Sequence, residues 1–123
     1  VLVYCCADLI FATRVRAEAD AAGVVSRPAR NADMLRARLD RVDDGKPNDP
    51  VTGVIVDLDL GETGVALIEQ AAAHQTPPRI VAFGPHVAVD LLRQADNAGA
   101  DLVLPRGRFV QELAVLVREL GGL

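Results

Sequence analysis

The chain has 123 residues, half of them hydrophobic, with a formal net charge of −4 and no Trp. That length and apolar fraction suit one core, which excludes both a disordered chain and a second folded domain. A mildly acidic chain whose aromatics are Tyr4, Phe11, Phe83 and Phe109 lacks the basic stripe and stacking platform of a nucleic-acid binder. Charges interrupt every apolar run before it reaches the length of a membrane span, and no secretory leader is legible. The expected partners therefore include no nucleic acid and no membrane. The opening Val1-Leu2-Val3-Tyr4, without an initiator Met, reads as a trimmed chain. The two cysteines are adjacent, Cys5-Cys6, too few for a disulfide framework and strained as a vicinal pair. Reduced, half-buried thiols and a cytoplasmic location are the expectation. Of thirteen basic residues, Lys46 is the single lysine.

Two kinds of segment alternate along the chain. Val1 to Cys5 is a continuous apolar run, as in a strand buried on both faces. Asp8 is a candidate N-cap for a helix carrying Leu9, Ile10, Val15, Ala19 and Ala22, and Gly23 ends it as a C′ glycine. Val24-Val25 reads as a weak second strand, closed by Ser26-Arg27-Pro28. Asn31 is placed to cap a second helix running to about Val42, with Met34, Leu35, Leu39 and Val42 on one face. Asp43 to Pro50 is polar and rich in Pro and Gly, a surface loop within one domain. Gly53-Val54-Ile55-Val56-Asp57 is the strongest strand. A third helix carries Leu67, Ile68 and Ala72 to His74, where Pro77-Pro78 stops it. Arg79 to Phe83 is a fourth strand, followed by a helix with Val87, Leu91, Leu92 and Ala95 inward. Ala98-Gly99-Ala100 closes that helix before the strand Leu102-Val103-Leu104. The last helix carries Phe109, Leu113, Leu116, Val117 and Leu120.

Five β–α units in series predict an α/β class chain, a single doubly wound, flavodoxin-like (βα)5 domain over residues 1–123. Its five-stranded parallel sheet would take the order 2-1-3-4-5. Ligands in such sheets sit outside the carboxyl ends of the strands, where the strand order reverses. That point lies between strands one and three. It gathers Cys5, Cys6 and Asp8 from one side, and Asp57 and Asp59 from the other. Asp57, ending the central strand, either serves a site there or orders the following turn.

The order and spacing of Val1-Leu2-Val3-Tyr4, Ala21-Ala22-Gly23, Val54-Ile55-Val56-Asp57, Pro78 to Phe83 and Ala98-Gly99-Ala100-Asp101 resemble the CheY-like receiver domain of two-component response regulators, across essentially the whole chain. The resemblance implies that Asp57 occupies the phosphoacceptor position. It equally implies departures from the family. The acidic pair that holds Mg²⁺ falls on Cys5-Cys6 in one register and on Cys6-Ala7 in another, with Asp8 one residue late. The strand-four hydroxyl falls on Phe83, and the strand-five aromatic on Val103. The lysine after strand five falls on or beside Arg106, and Lys46 lies too far along the chain to replace it. The Met-Pro after the phosphoacceptor is replaced by Leu60-Gly61, and the loop glycine, Gly64, comes one residue early. Thiols are poor ligands for a hard cation, and phosphoryl transfer rests on metal and cationic neighbours.

The expectation is a degenerate receiver that signals by protein–protein interaction without Mg²⁺-dependent phosphorylation, with no enzymatic activity, no cofactor and no metal. The implied partner is a kinase, an output domain or a second copy. A homodimer would use the face of helix four, strand five and helix five, with Val87, Leu91, Val103, Phe109 and Leu113. Arg106 either pairs with Asp57 or is an exposed loop charge. His74 and His86 read as surface residues, and Cys5-Cys6 lacks the C-x-x-C spacing of a redox site. Two alternatives stand beside this reading. One is a working phosphoacceptor receiver that uses Asp57, with Asp8 and Asp59 for metal. The other is a small-molecule binder or enzyme, which needs a pocket above Cys6 and Asp57.

Overall fold

The computed structural model describes residues 1–40, 42–43, 46–47 and 49–123. Strands β1 (Leu2–Cys5), β2 (Ser26–Pro28), β3 (Gly53–Asp57), β4 (Arg79–Gly84) and β5 (Leu102–Pro105) form one parallel sheet in the order β2-β1-β3-β4-β5. Helices α1 (Leu9–Ala21), α2 (Ala32–Leu39), α3 (Glu62–Ala72), α4 (Val89–Ala98) and α5 (Arg106–Leu120) connect and follow them. This is the α/β, doubly wound (βα)5 arrangement that the alternating pattern predicts, with the 2-1-3-4-5 order.

Alternation along the strands divides the core into two layers. Val3, Cys5, Val54, Val56, Ile80 and Ala82 face the side that includes Leu35 of α2, Leu67 and Ile68 of α3, and Ala95 of α4. Leu2, Tyr4, Ile55, Val81 and Phe83 face Val15 and Ala19 of α1 and Phe109, Leu113 and Leu116 of α5. Because both faces are covered, the central strands read as unbroken apolar runs rather than as alternating ones. The helix starts follow the capping residues. Asp8 accepts from the Phe11 N–H at 3.0 Å, and Asn31 accepts from the Met34 N–H at 2.8 Å.

Several boundaries differ from the sequence reading. The second strand is Ser26–Pro28, not Val24-Val25. Val24 donates its N–H to the Ala19 carbonyl at 2.8 Å and buries its side chain, so it completes the end of α1. Pairing with β1 begins only beyond it, on an edge strand that tolerates Pro28. Leu9 and Ile10 were expected on the inner face of α1. They lie 75% and 68% exposed in its first turn, and Val15 and Ala19 supply the buried stripe.

Helix α2 stops at Leu39, where the Asp40 N–H caps it on the Arg36 carbonyl. Val42 belongs instead to a short antiparallel ladder that pairs Val42–Asp43 with Lys46–Pro47, inside the stretch expected to be loop. Residues 41, 44, 45 and 48 of that neighbourhood lie outside the described residues. Val87, expected inward, precedes α4 and is 75% exposed. Phe109 and Leu113, expected on a pairing face, are buried in the core against α1.

Gly53 opens β3 where the end of α5 crosses the sheet. A Cβ there would lie 2.5 Å from the Leu120 Cβ and 2.8 Å from the Leu120 carbonyl oxygen. Both neighbours are fixed by helix backbone, so Gly53→Ala is expected to destabilise the fold by about 1–3 kcal/mol through overpacking. Gly107→Ala, in α5 with nothing within 4 Å of the added Cβ, is expected to be neutral or slightly stabilising. Urea unfolding midpoints at constant slope check both expectations.

Candidate functional site

The turns at the carboxyl ends of β1 and β3 meet at Asp57, with Arg106 from the end of β5 close enough to act on it through its charge. Asp57 is the sole buried charged residue among those described, with no solvent exposure. Its Oδ2 accepts from the Ala7 N–H at 3.1 Å and its Oδ1 from the Asp59 N–H at 3.0 Å. The carboxylate thus ties the β1–α1 turn to the turn after its own strand. Burial pushes the Asp57 carboxyl above the ordinary carboxylate range. The two amide hydrogen bonds oppose that shift, the charge of Asp59 adds to it, and Arg106 draws it back. Gly64 lets α3 close on this corner, because a Cβ there would stand 3.2 Å from the Asp57 carbonyl oxygen.

Cys5 and Cys6 are free thiols, and of the two it is Cys6 that feels the charge of Asp57. Cys5 is fully buried in the layer under α2, α3 and α4, and burial pushes its thiol up to about 12. Cys6 is half-buried. Burial raises its thiol further still, with the charges of Asp57 and Asp8 adding to the effect. Both are protonated at neutral pH.

The Mg²⁺ that the receiver resemblance implies does not fit these residues. In either register the acidic-pair positions hold no carboxylate, being Cys5-Cys6 or Cys6-Ala7, and Asp8 spends a carboxylate oxygen on the cap of α1. Both Asp57 oxygens accept backbone amides, and Asp59 is engaged by an arginine. A hard cation wants free oxygen donors. Among the described residues, no group of three or more His, Cys, Asp or Glu side chains is arranged to hold a metal ion.

Phe83 lies opposite Asp57 in the β3–β4 register. It was expected in the crevice, but its ring is fully buried and stacks on Phe109, with centroids 3.9 Å apart and planes at 7°. Phe11 tilts against it as well, with centroids 5.1 Å apart. The alternation of β4 turns Phe83 into the α1–α5 layer, so it is core rather than site lining. Cys5 leaves the crevice for the opposite layer by the same alternation in β1.

Arg106 does not pair with Asp57. Its Nη2 donates to Asp59 Oδ2 at 2.5 Å, and its guanidinium carbon lies 5.3 Å from the Phe11 ring centroid. Asp57 is sealed beneath the turn with both oxygens taken, whereas Asp59 stands at its surface. The Nε of Arg106 is buried without a hydrogen-bond partner. Two contributors escape the sequence reading. The Ala7 N–H carries no side-chain signal, and Phe11 reads simply as a helix residue. His74, expected at the surface, is half-buried just past the end of α3, with its Nε2 3.3 Å from Asp40 Oδ1.

The fold is that of solved receiver domains. The receiver domain of NtrX from Brucella abortus superposes with a TM-score of 0.76 at 16% identity, covering 99% of this chain and 98% of that one. A response regulator from Thermotoga maritima gives 0.71 at 18% identity, covering 99% and 97%. A Burkholderia pseudomallei response regulator, solved with a phosphorylated aspartic acid, a calcium ion and citrate, gives 0.68 at 23%, covering 98% and 67%. No family model and no curated protein matches the sequence.

Removing Arg106 takes away a positive charge that favours the ionised form of Asp57. In Arg106→Gln the Asp57 carboxyl is expected to titrate at higher pH than in wild type, read from its side-chain carbonyl ¹³C shift. The native pKa is already raised, so the native state holds this proton more tightly than the unfolded chain. The stability Asp57 contributes is therefore full below the unfolded carboxylate pKa of about 3.9. It is lost as pH rises through the native value, and Arg106→Gln moves that loss upward. The Arg106–Asp59 pair itself, more than a third exposed on both sides, is worth under about 1 kcal/mol.

Proposed function

We propose that this chain is a receiver-like signalling domain of the two-component type, acting by protein–protein contact without Mg²⁺-dependent aspartyl phosphorylation. The observation that carries the reading is the enclosure of Asp57. Attack on a phosphoryl group needs a carboxylate oxygen exposed for in-line approach, with metal and cationic neighbours to spread the developing charge. Here neither oxygen is exposed and both accept backbone amides. The position that would offer a hydroxyl to the phosphoryl oxygens is a phenyl ring packed into the core. The alternative of a working receiver recruiting Asp8 and Asp59 for metal is disfavoured by the engagement of both, one as a helix cap and one with Arg106.

A buried, hydrogen-bonded carboxylate with Arg106 closed over Phe11 and Asp59 suits a domain held in one state. Its signal would then pass by the presence of a partner rather than by a change at Asp57. In its finer form the proposal seats a kinase, an output domain or a second copy on the face of α4, β5 and α5. Val87 and Val89 are exposed there, and Leu91 and Val103 are half-buried.

Incubation with acetyl phosphate and Mg²⁺, followed by intact mass measurement, tests the reading. Wild type and Asp57→Asn are both expected to show no phosphoryl adduct. A Mg²⁺-dependent adduct present in wild type and lost in Asp57→Asn would overturn it.

A further inference from the structure

A groove of about 550 Å³ opens over the carboxyl ends of β1 and β2, between the start of α1, the loop after β2, and the turn after β3. It lies at the carboxyl edge of the sheet, next to the point between β1 and β3 where the strand order reverses, the usual ligand position in a doubly wound sheet. It lies beside Asp57 without including it, so nothing in the phosphoacceptor reading uses this space. Its volume falls inside the range of about 300–1,000 Å³ typical of small-molecule sites.

The lining specifies the chemistry of an occupant. Arg16 of α1 and Arg30 of the loop after β2 both contribute to the walls. Among the described residues, neither arginine has a carboxylate at ion-pair distance. Asp8 is the one acidic residue of the lining, and its Oδ1 is occupied by the Phe11 N–H. The remainder of the surface is largely apolar, including Leu60, Pro28 and the thiol of Cys6. Burial leaves that thiol uncharged, so it offers no negative charge against an anion. Guanidinium groups without carboxylate partners bind carboxylate and phosphate oxygens by charge-assisted, often bidentate hydrogen bonds.

We propose that this groove binds a small organic anion, in which a carboxylate or phosphate group reaches Arg16 and Arg30 and a flat apolar body rests on Leu60, Pro28 and Cys6. The proposal is independent of how Asp57 behaves. A domain whose aspartate is closed to phosphate would gain by this route a second means of responding to a chemical signal.

The test uses 1-naphthyl phosphate as the probe, titrated into ¹⁵N-labelled protein. Saturable shifts are expected at the Ala7, Ala12 and Arg30 amides, with a dissociation constant below about 1 mM. Binding is expected to weaken at least about tenfold in the double variant Arg16→Gln/Arg30→Gln, both exposed positions, and to be unchanged in Arg118→Gln on α5. The uncharged probe 1-naphthol should bind at least about tenfold more weakly than the phosphate. Inorganic phosphate binding as tightly as the naphthyl ester would remove the apolar body from the proposal and overturn it. So would shifts that fail to saturate, that centre elsewhere, or that persist at full affinity in the double variant.

Discussion

A carboxylate taken wholly out of water must find its hydrogen bonds inside the protein or become neutral, and Asp57 finds two, both from backbone. One comes from the first turn beyond β1 and the other from the turn beyond β3. Those two turns are separated by most of the first half of the chain, yet they converge on one side chain at the junction of the two central strands. The geometry of the whole carboxyl edge follows from this. Around it, Asp8 caps α1, Asp59 pairs with Arg106, and Gly64 lets α3 approach the Asp57 backbone.

Against that polar knot lies an apolar one. Phe11, Phe83 and Phe109 come from α1, β4 and α5 and form a cluster in which Phe83 contacts both other rings, with the Arg106 guanidinium lying against Phe11. Stacked and tilted rings add to the stabilisation of simple burial. A hydroxyl at residue 83 would leave a polar group seeking a partner at the end of β4, whereas the phenyl ring extends the core to the rim of the sheet. Cys5 and Phe83 are thus spent on the two core layers on opposite faces of the sheet, and Cys6 is a half-buried, neutral thiol at their rim.

The repeat of strands and helices was legible because each central strand is buried on both faces and each helix has a capping residue or a terminal glycine. Legibility failed where a single residue serves two purposes. Val24 is apolar like a strand residue but is spent on closing α1, which displaces β2 onto Ser26–Pro28. Leu9 and Ile10 fit the helical spacing of α1, yet the first turn projects past the sheet, so they meet solvent. At the site, the register sets Asp57 beside Phe83, but the alternation of β4 turns the phenyl ring into the core and away from the crevice expected to hold it. Pattern alone could not say which arginine–carboxylate pair would form. That choice depends on Asp57 being saturated by amides that no side-chain motif records.

Tyr4 occupies an instructive position in this arrangement. It is the only tyrosine in a chain without tryptophan. It is nearly buried in the layer against α1 and α5, and it also borders the groove at the end of β1. Excited beyond the phenylalanine absorption band, the folded chain therefore emits from one address. A single chromophore, native and unlabelled, views the packing of α1 and α5 from one side and the contents of the groove from the other.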